Sequence, residues 1–429
     1  MTADKRQLWM WAVAAFNFAI GPLSTFVPIY ILKLGGNAIT VGLAFTLYNL
    51  VAIPASAFWG FLVDITGWRK PIVVISYGSA SLILLGMYFA QGVYEVALLY
   101  AAIGLFAAAA STPLNLLVIE TTEKHGWPSA FSLLNLLASA GVTVSLLFAA
   151  TYSSAYSIRG MMLYLAAFGG ISTLMSQILI EEPPVPLERR SLSLREEALN
   201  SRLLFSPLFF LRLPRIRGIF RSVSRRWRAG DPSLLVYVGI FLFYIASGLF
   251  NTMISPGLYR KGLSESLVFT VIMAGYVVQT LSYQYSGKYI ERNGEVNVAV
   301  KALYLRAAGY VGIALSFLAS SSALILGASM ICYPMAAGLA FSMFYAAANV
   351  MVFKTLGANP GSHLGAYSSL VGLATLAGAF ASGFTSYYVG YNFTYALAAA
   401  FLLASATILK KVKFRSSTRS ACPKVALLR

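Results

Sequence analysis

The chain has 429 residues, of which 58% belong to the set AVILMFWYC and 11% are charged, with a net charge of +18 at pH 7. A soluble domain carries roughly 25% charged residues, so this chain has too little polar material to cover a water-exposed surface of its size. A soluble enzyme, a disordered chain and a disulfide scaffold are excluded, the last because the only cysteines are Cys332 and Cys422.

In chain order, runs with few or no charges occupy residues 8–32, 39–62, 71–91, 95–119, 128–153 and 160–180. After a polar stretch they resume at 233–257, 264–287, 296–318, 322–350, 364–388 and 391–409. A helix needs roughly 20 apolar residues to cross the hydrocarbon, and in lipid a helix satisfies its backbone polar groups within one segment. The predicted fold class is therefore an all-α integral membrane protein with twelve transmembrane helices. The first run follows Lys5 and Arg6 and lacks a small-residue cleavage site, which predicts a retained helix.

Charge placement tests the count independently. With the N-terminus inside, the inner segments hold 26 of the 32 basic residues and the outer loops hold four: Lys33, Arg159, Arg260 and Lys261. Lys301 and Arg306 fall in the inner half of the ninth span. A miscounted helix would invert every later loop and destroy this asymmetry. The expectation is a multi-pass protein of the cytoplasmic membrane with both termini cytoplasmic. Basic residues placed between spans and beside lipid account for the charge without nucleic acid as a partner.

The polar stretch divides the spans six and six, and internal similarity joins the sets. Pro28 and Lys33 correspond to Pro256 and Lys261 at an offset of 228, and Gly60, Asp64 and Gly67 correspond to Gly287, Glu291 and Gly294 at 227. Ala130, Ser132, Leu134, Leu137 and Ala138 match Ala366, Ser368, Leu370, Leu373 and Ala374 at 236. Repeats in one order at nearly one offset predict two pseudo-symmetric six-helix bundles, residues 1–185 and 231–410. Between them, 186–230 reads as a basic cytoplasmic linker, and 411–429 as a basic cytoplasmic tail. Residues 203–228 fit either an amphipathic segment on the anionic inner leaflet or an ordinary positive-inside linker.

Between the second and third spans stands Gly60-Phe-Leu62-Val-Asp64-Ile-Thr-Gly67-Trp-Arg69-Lys70. Here the sequence resembles the major facilitator superfamily, whose loop signature G-x-L-x-D-x-x-G-x-R-[KR] occupies the same topological place. The resemblance implies secondary transport by alternating access, with this motif latching the cytoplasmic side shut in the outward-open state. Gly60, Asp64, Gly67, Arg69 and Lys70 become gating candidates, with Asp64 expected to meet the backbone near Gly365 and Ala366. Gly287, Glu291 and Gly294 form a degraded second copy, in which Glu295 stands where a basic residue would be expected.

The resemblance further implies a mid-membrane cavity built from the first, fourth, seventh and tenth helices. Those spans carry Asn17 and Ser24, Ser111 and Asn115, Tyr244, Ser247 and Asn251, and Ser342, Tyr345 and Asn349, at helical spacings. An amide in hydrocarbon is costly unless it faces a partner or a water-filled cavity, so these are substrate-binding candidates. Hydrogen bonding between packed helices is the alternative. Gln279, Tyr276 and Asn135 are secondary candidates, and Pro113 is expected to kink the fourth helix.

None of the fourteen acids lies mid-span, and both histidines, His125 and His363, fall in cytoplasmic loops. Glu95 and Glu120, at the two ends of the fourth helix, are the candidates for a proton relay. Tyr100 stands where many proton-coupled relatives carry an arginine, which argues against drug/proton antiport. The cavity is accordingly expected to hold no buried ionisable group and to take a small neutral or amphipathic solute. A proton-coupled multidrug-type efflux carrier, and a non-transporting sensor or lipid-handling protein of the same fold, are the alternatives. No cofactor, metal or catalytic residue is expected, and the chain is expected to act as a monomer.

Overall fold

The structure, a computed structural model, describes residues 8–122, 127–181, 232–355 and 360–412. The linker with its 203–228 segment, the tail from residue 413, and the side chains of Asp64 and of residues 360–366 lie outside this description. The first six helices are α1 (Met10–Ile20 and Leu23–Lys33), α2 (Ala38–Thr66), α3 (Lys70–Phe89), α4 (Val93–Thr121), α5 (Trp127–Ala155) and α6 (Ile158–Leu179). The second six are α7 (Pro232–Arg260), α8 (Glu265–Asn293), α9 (Glu295–Ser316), α10 (Ser322–Tyr333 continuing to Phe341–Thr355), α11 (Pro360–Tyr388) and α12 (Tyr391–Leu409). All twelve are long and apolar enough to cross a membrane. The protein is a multi-pass, all-helical membrane protein.

Two spans read as continuous are interrupted. Pro22 has no N–H to give, and α1 breaks at Gly21-Pro22 before resuming at Leu23. Pro334 likewise interrupts the hydrogen-bond ladder of α10, where Pro334–Ala340 forms a π-helical turn. By contrast, α4 runs through Pro113 as one helix.

The two halves repeat one packing scheme. α1 packs on α5 and α6 as α7 packs on α11 and α12; α2 packs on α4 as α8 packs on α10; and α3 packs on α6 as α9 packs on α12. Small residues permit the close pairs. A Cβ on Gly141 of α5 would lie 2.2 Å from the Ala14 carbonyl oxygen of α1, and one on Gly378 of α11 would lie 2.3 Å from the Ile245 carbonyl oxygen of α7. Both approaches join equivalent helices of the two halves, which small residues allow.

Between the halves, α2 lies against α11, α5 against α8, and α1 against α7. Alternation of twelve helices puts both chain ends at one end of the bundle, the terminal end. The connections 34–37, 90–92 and 261–264 lie at the other, the far end.

Candidate substrate cavity and gates

A cavity lies between the halves in two adjoining lobes of about 320 and 370 Å³. Ser24 of α1, Phe45 of α2, Asn251 of α7 and Phe341 of α10 line both lobes. One lobe adds Tyr276 and Gln279 of α8 and Arg306 of α9, and the other adds Tyr244 and Ser247 of α7 and Tyr48 and Tyr100. Of the substrate candidates, the structure thus gathers Ser24, Tyr244, Ser247 and Asn251, together with the secondary candidates Gln279 and Tyr276.

The other candidates fall elsewhere. The Asn17 amide donates to the Val13 carbonyl, Ser111 Oγ to the Ala108 carbonyl and Ser342 Oγ to the Leu339 carbonyl, each within its own helix. Ser111 and Asn115 are exposed, on the α4 face that carries Tyr100. Tyr345 stacks on Phe341 at a centroid distance of 5.9 Å without lining the cavity, as Asn349 also does not. Neither proton-relay candidate lines it either. Glu95 accepts from the backbone N–H groups of Gln91 and Gly92, capping α4 at the far end. Glu120, at the terminal end, is held by Arg69.

The expectation of a cavity without an ionisable group is corrected by Arg306. It is 1% exposed, and it stands about 15 Å from each end of α9 at 1.5 Å per residue. Its Nε donates to Tyr310 Oη at 2.7 Å. Its guanidinium carbon lies 4.7, 5.1 and 5.3 Å from the ring centroids of Phe243, Phe341 and Tyr310. The ion pairs among the described residues are Lys33–Glu265, Arg69–Glu120 and Lys354–Glu295, and none includes Arg306. Reading Arg306 as one more positive-inside charge concealed it. The signal was its position, ten residues from the end of α9 and followed by an uncharged run to Ser316.

Above the cavity, the far end is closed across the halves. Lys33 of α1 pairs with Glu265 of α8, and Arg260 of α7 donates to the Gly36 carbonyl at 3.3 Å. α2 and α11 meet backbone to backbone, since a Cβ on Gly42 would lie 2.7 Å from Gly383 Cα. The contact reaches mid-depth, where a Cβ on Gly372 would lie 2.7 Å from Ile53, and Ser139 Oγ and Thr280 Oγ1 share a hydrogen bond of 2.6 Å.

At the terminal end the motif residues face their own half. Gly67 caps α2 at φ 68°, and its counterpart Gly294 caps α8 at φ 78°, a left-handed region that favours glycine. Among the described residues, a Cβ on Gly60 would meet only Thr112 Oγ1 at 3.6 Å, and one on Gly287 would meet nothing within 4 Å. Arg69, 9% exposed, makes a bidentate pair with Glu120 through Nε at 2.7 Å and Nη2 at 2.5 Å. Lys70 opens α3, and Glu291 is exposed at the end of α8. In the second half, Glu295 at the start of α9 pairs with Lys354 at the end of α10 at 2.5 Å. The degraded copy thus keeps the tie between equivalent helices with its signs exchanged. The expected meeting of Asp64 with Gly365 and Ala366 lies outside the described side chains.

The family model of the Major Facilitator Superfamily matches residues 9–336. The chain belongs to this superfamily. Its fold is that of transporters, which are not enzymes. The nucleoside transporter NupG superposes with a TM-score of 0.67 at 15% identity, covering 97% of this chain and 100% of that one. A bacterial homologue of the human lysosomal transporter Spinster gives 0.65 at 15% identity, covering 97% and 99%. Sequence relatives named multidrug resistance protein MdtG include one from Rahnella sp. (strain Y9602), 26% identical over 208 residues, or 46% of this chain and 49% of that protein. Another, from Klebsiella pneumoniae (strain 342), is 29% identical over 202 residues, 46% of each. The matched region spans about half the length of these relatives.

Proposed function

We propose that this superfamily member is a secondary transporter that moves a small amphipathic solute by rocking residues 1–185 against 231–410. The observation that carries the reading is the cavity between the halves, lined from both and sealed on one side by cross-half contacts at the far end and mid-depth. Placement of the basic residues supports a cytoplasmic terminal end; on that reading the far end is the outer face and the described conformation is inward-facing. The latch motif belongs to the opposite closure, which explains why Gly60 and Gly287 lie uncovered among the described residues.

The walls suit an amphipathic organic solute. Phe45, Tyr48, Tyr100, Tyr244 and Phe341 offer aromatic surface, while Ser24, Ser247, Asn251 and Gln279 offer hydrogen bonds. Proton-coupled multidrug efflux is the second reading, favoured by the MdtG relatives alone, because no carboxylate among the described residues lines the cavity.

Proteoliposomes challenged with a panel of amphipathic dyes, with and without a pH gradient, test both. Flux that falls at least tenfold in Asn251→Leu supports transport through this cavity, and flux that requires the gradient favours the second reading. No flux above protein-free vesicles for the whole panel removes the transporter reading. Maleimide labelling of Gln91→Cys in intact cells tests the orientation, and protection of that exposed far-end residue from outside reagent reverses it.

A further inference from the structure

We propose that the cavity recognises one negative charge on its solute, and that Arg306 is the recognising group. The inference deepens the transporter reading and rests on it for the cavity being the solute site.

An intramembrane guanidinium without a counter-ion is expensive, and each of its surfaces can be assigned. The rings of Phe243, Phe341 and Tyr310 surround it at centroid distances of 4.7–5.3 Å, an environment that a flat delocalised cation accepts. Its Nε is committed to Tyr310 Oη. The edge carried by Nη1 and Nη2 remains, and Nη1 is buried with no hydrogen-bond partner. Arg306 lines the cavity, which places a guanidinium with no ion-pair partner among the described residues beside a space able to hold a solute. A carboxylate entering that space would compensate the guanidinium through a charge-assisted hydrogen bond.

The number of charges follows from the walls. Among the described residues, Arg306 is the one charged residue lining either lobe. A monoanion leaves the site neutral, whereas a dianion would leave a net negative charge in a low-dielectric space. The body of the solute follows from the same walls: Phe341, Tyr276 and Ile272 near Arg306 are apolar or aromatic, with Gln279 as an amide. The assigned solute class is an amphipathic carboxylate or other organic monoanion with an aromatic or apolar body. This replaces the neutral solute that the acid census alone predicts.

The test is binding, not transport, so that its failure is distinct from failure of the transporter reading. Purified full-length protein in phosphatidylcholine nanodiscs is titrated with three isosteres: 2-naphthoate, neutral 2-naphthamide and 2-naphthylmethylammonium. The expected order is acid tightest, at least tenfold over the amide, with the ammonium weakest. Arg306→Gln should abolish the preference for acid over amide while leaving amide affinity within about threefold, and Arg306→Lys should retain part of it. Equal acid and amide affinity in the wild type overturns the proposal without recourse to any variant, as does absence of binding by the acid. A residue that merely fills space between the rings would lower the melting temperature of both variants and leave the acid-to-amide ratio unchanged, which also overturns it.

Discussion

Gly42→Ala is the sharpest perturbation of the closed far end. The added methyl would lie 2.7 Å from Gly383 Cα, 2.9 Å from Gly383 N and 3.1 Å from the Ala379 carbonyl oxygen. All three obstacles are backbone atoms of the other half, so no side chain can turn aside, and relief requires α2 and α11 to part. Overpacking of this kind costs about 1–3 kcal/mol, and the cost falls only on the conformation in which the two helices touch there. The ratio of inward- to outward-facing protein should drop by roughly 5- to 150-fold. Spin labels at exposed Ser154 and Ser320, in a background without Cys332 and Cys422, report the far-end separation of the halves by pulsed electron resonance. The expected result is a longer distance in Gly42→Ala. Gly86→Ala is the control, because its new methyl meets nothing closer than 3.8 Å. An unchanged distribution in Gly42→Ala, or an equal shift in Gly86→Ala, refutes the assignment of Gly42 and Gly383 to the outer closure.

Two ion pairs give further predictions. Lys33→Glu places like charges at the far-end pair and should lengthen the same label distance, while Lys33→Glu with Glu265→Lys restores it; since Lys33 is about one-third exposed, the pair contributes on the order of 0.2–1 kcal/mol, and failure of the exchange to restore the distance removes it from the gate. At the terminal end, a double-mutant cycle on Arg69→Ala and Glu120→Ala should give a coupling of about 1.5–3 kcal/mol in stability, because the pair is bidentate and Arg69 is buried. The cycle on Glu295 and Lys354, whose lysine is half exposed, should give about 0.2–1 kcal/mol; equal couplings would show that burial does not set their strength.

The spans were legible because lipid imposes one simple demand on composition, and basic residues mark one face of every loop. The repeat was legible for a similar reason: Gly67 and Gly294 stand where two helices end at a positive φ, and that need is written in one residue type. Breaks inside spans were not legible. Pro28, Pro54, Pro113 and Pro256 lie inside continuous helices, whereas Pro22 and Pro334 interrupt theirs although Ser145 re-satisfies the carbonyl that Pro22 frees on Phe18, so the residue type alone does not say which ladder breaks. The site was half legible. Helical spacing on α7 found Tyr244, Ser247 and Asn251, which line the cavity, yet a similar spacing on α10 selected Ser342, Tyr345 and Asn349, which do not, because periodicity gives a face and not what lies opposite it. Phe45, Tyr48 and Asn49 repeat at i, i+3 and i+4 on α2 and line the cavity, but α2 stood outside the four helices expected to build it.

Arg306 also gives the carrier an electrical character. When the cavity communicates with one side of the membrane, nearly the whole voltage falls across the sealed side, so rocking moves this charge through much of the field while the residue itself hardly travels. Each elementary charge moved across the full potential is worth about 2.3 kcal/mol per 100 mV. A monoanion cancels that charge, so the loaded protein reorients almost without regard to voltage. The empty protein does not, and a membrane that is negative inside draws it toward the cytoplasm-facing state, making the resting potential the force that decides on which side the vacant site waits.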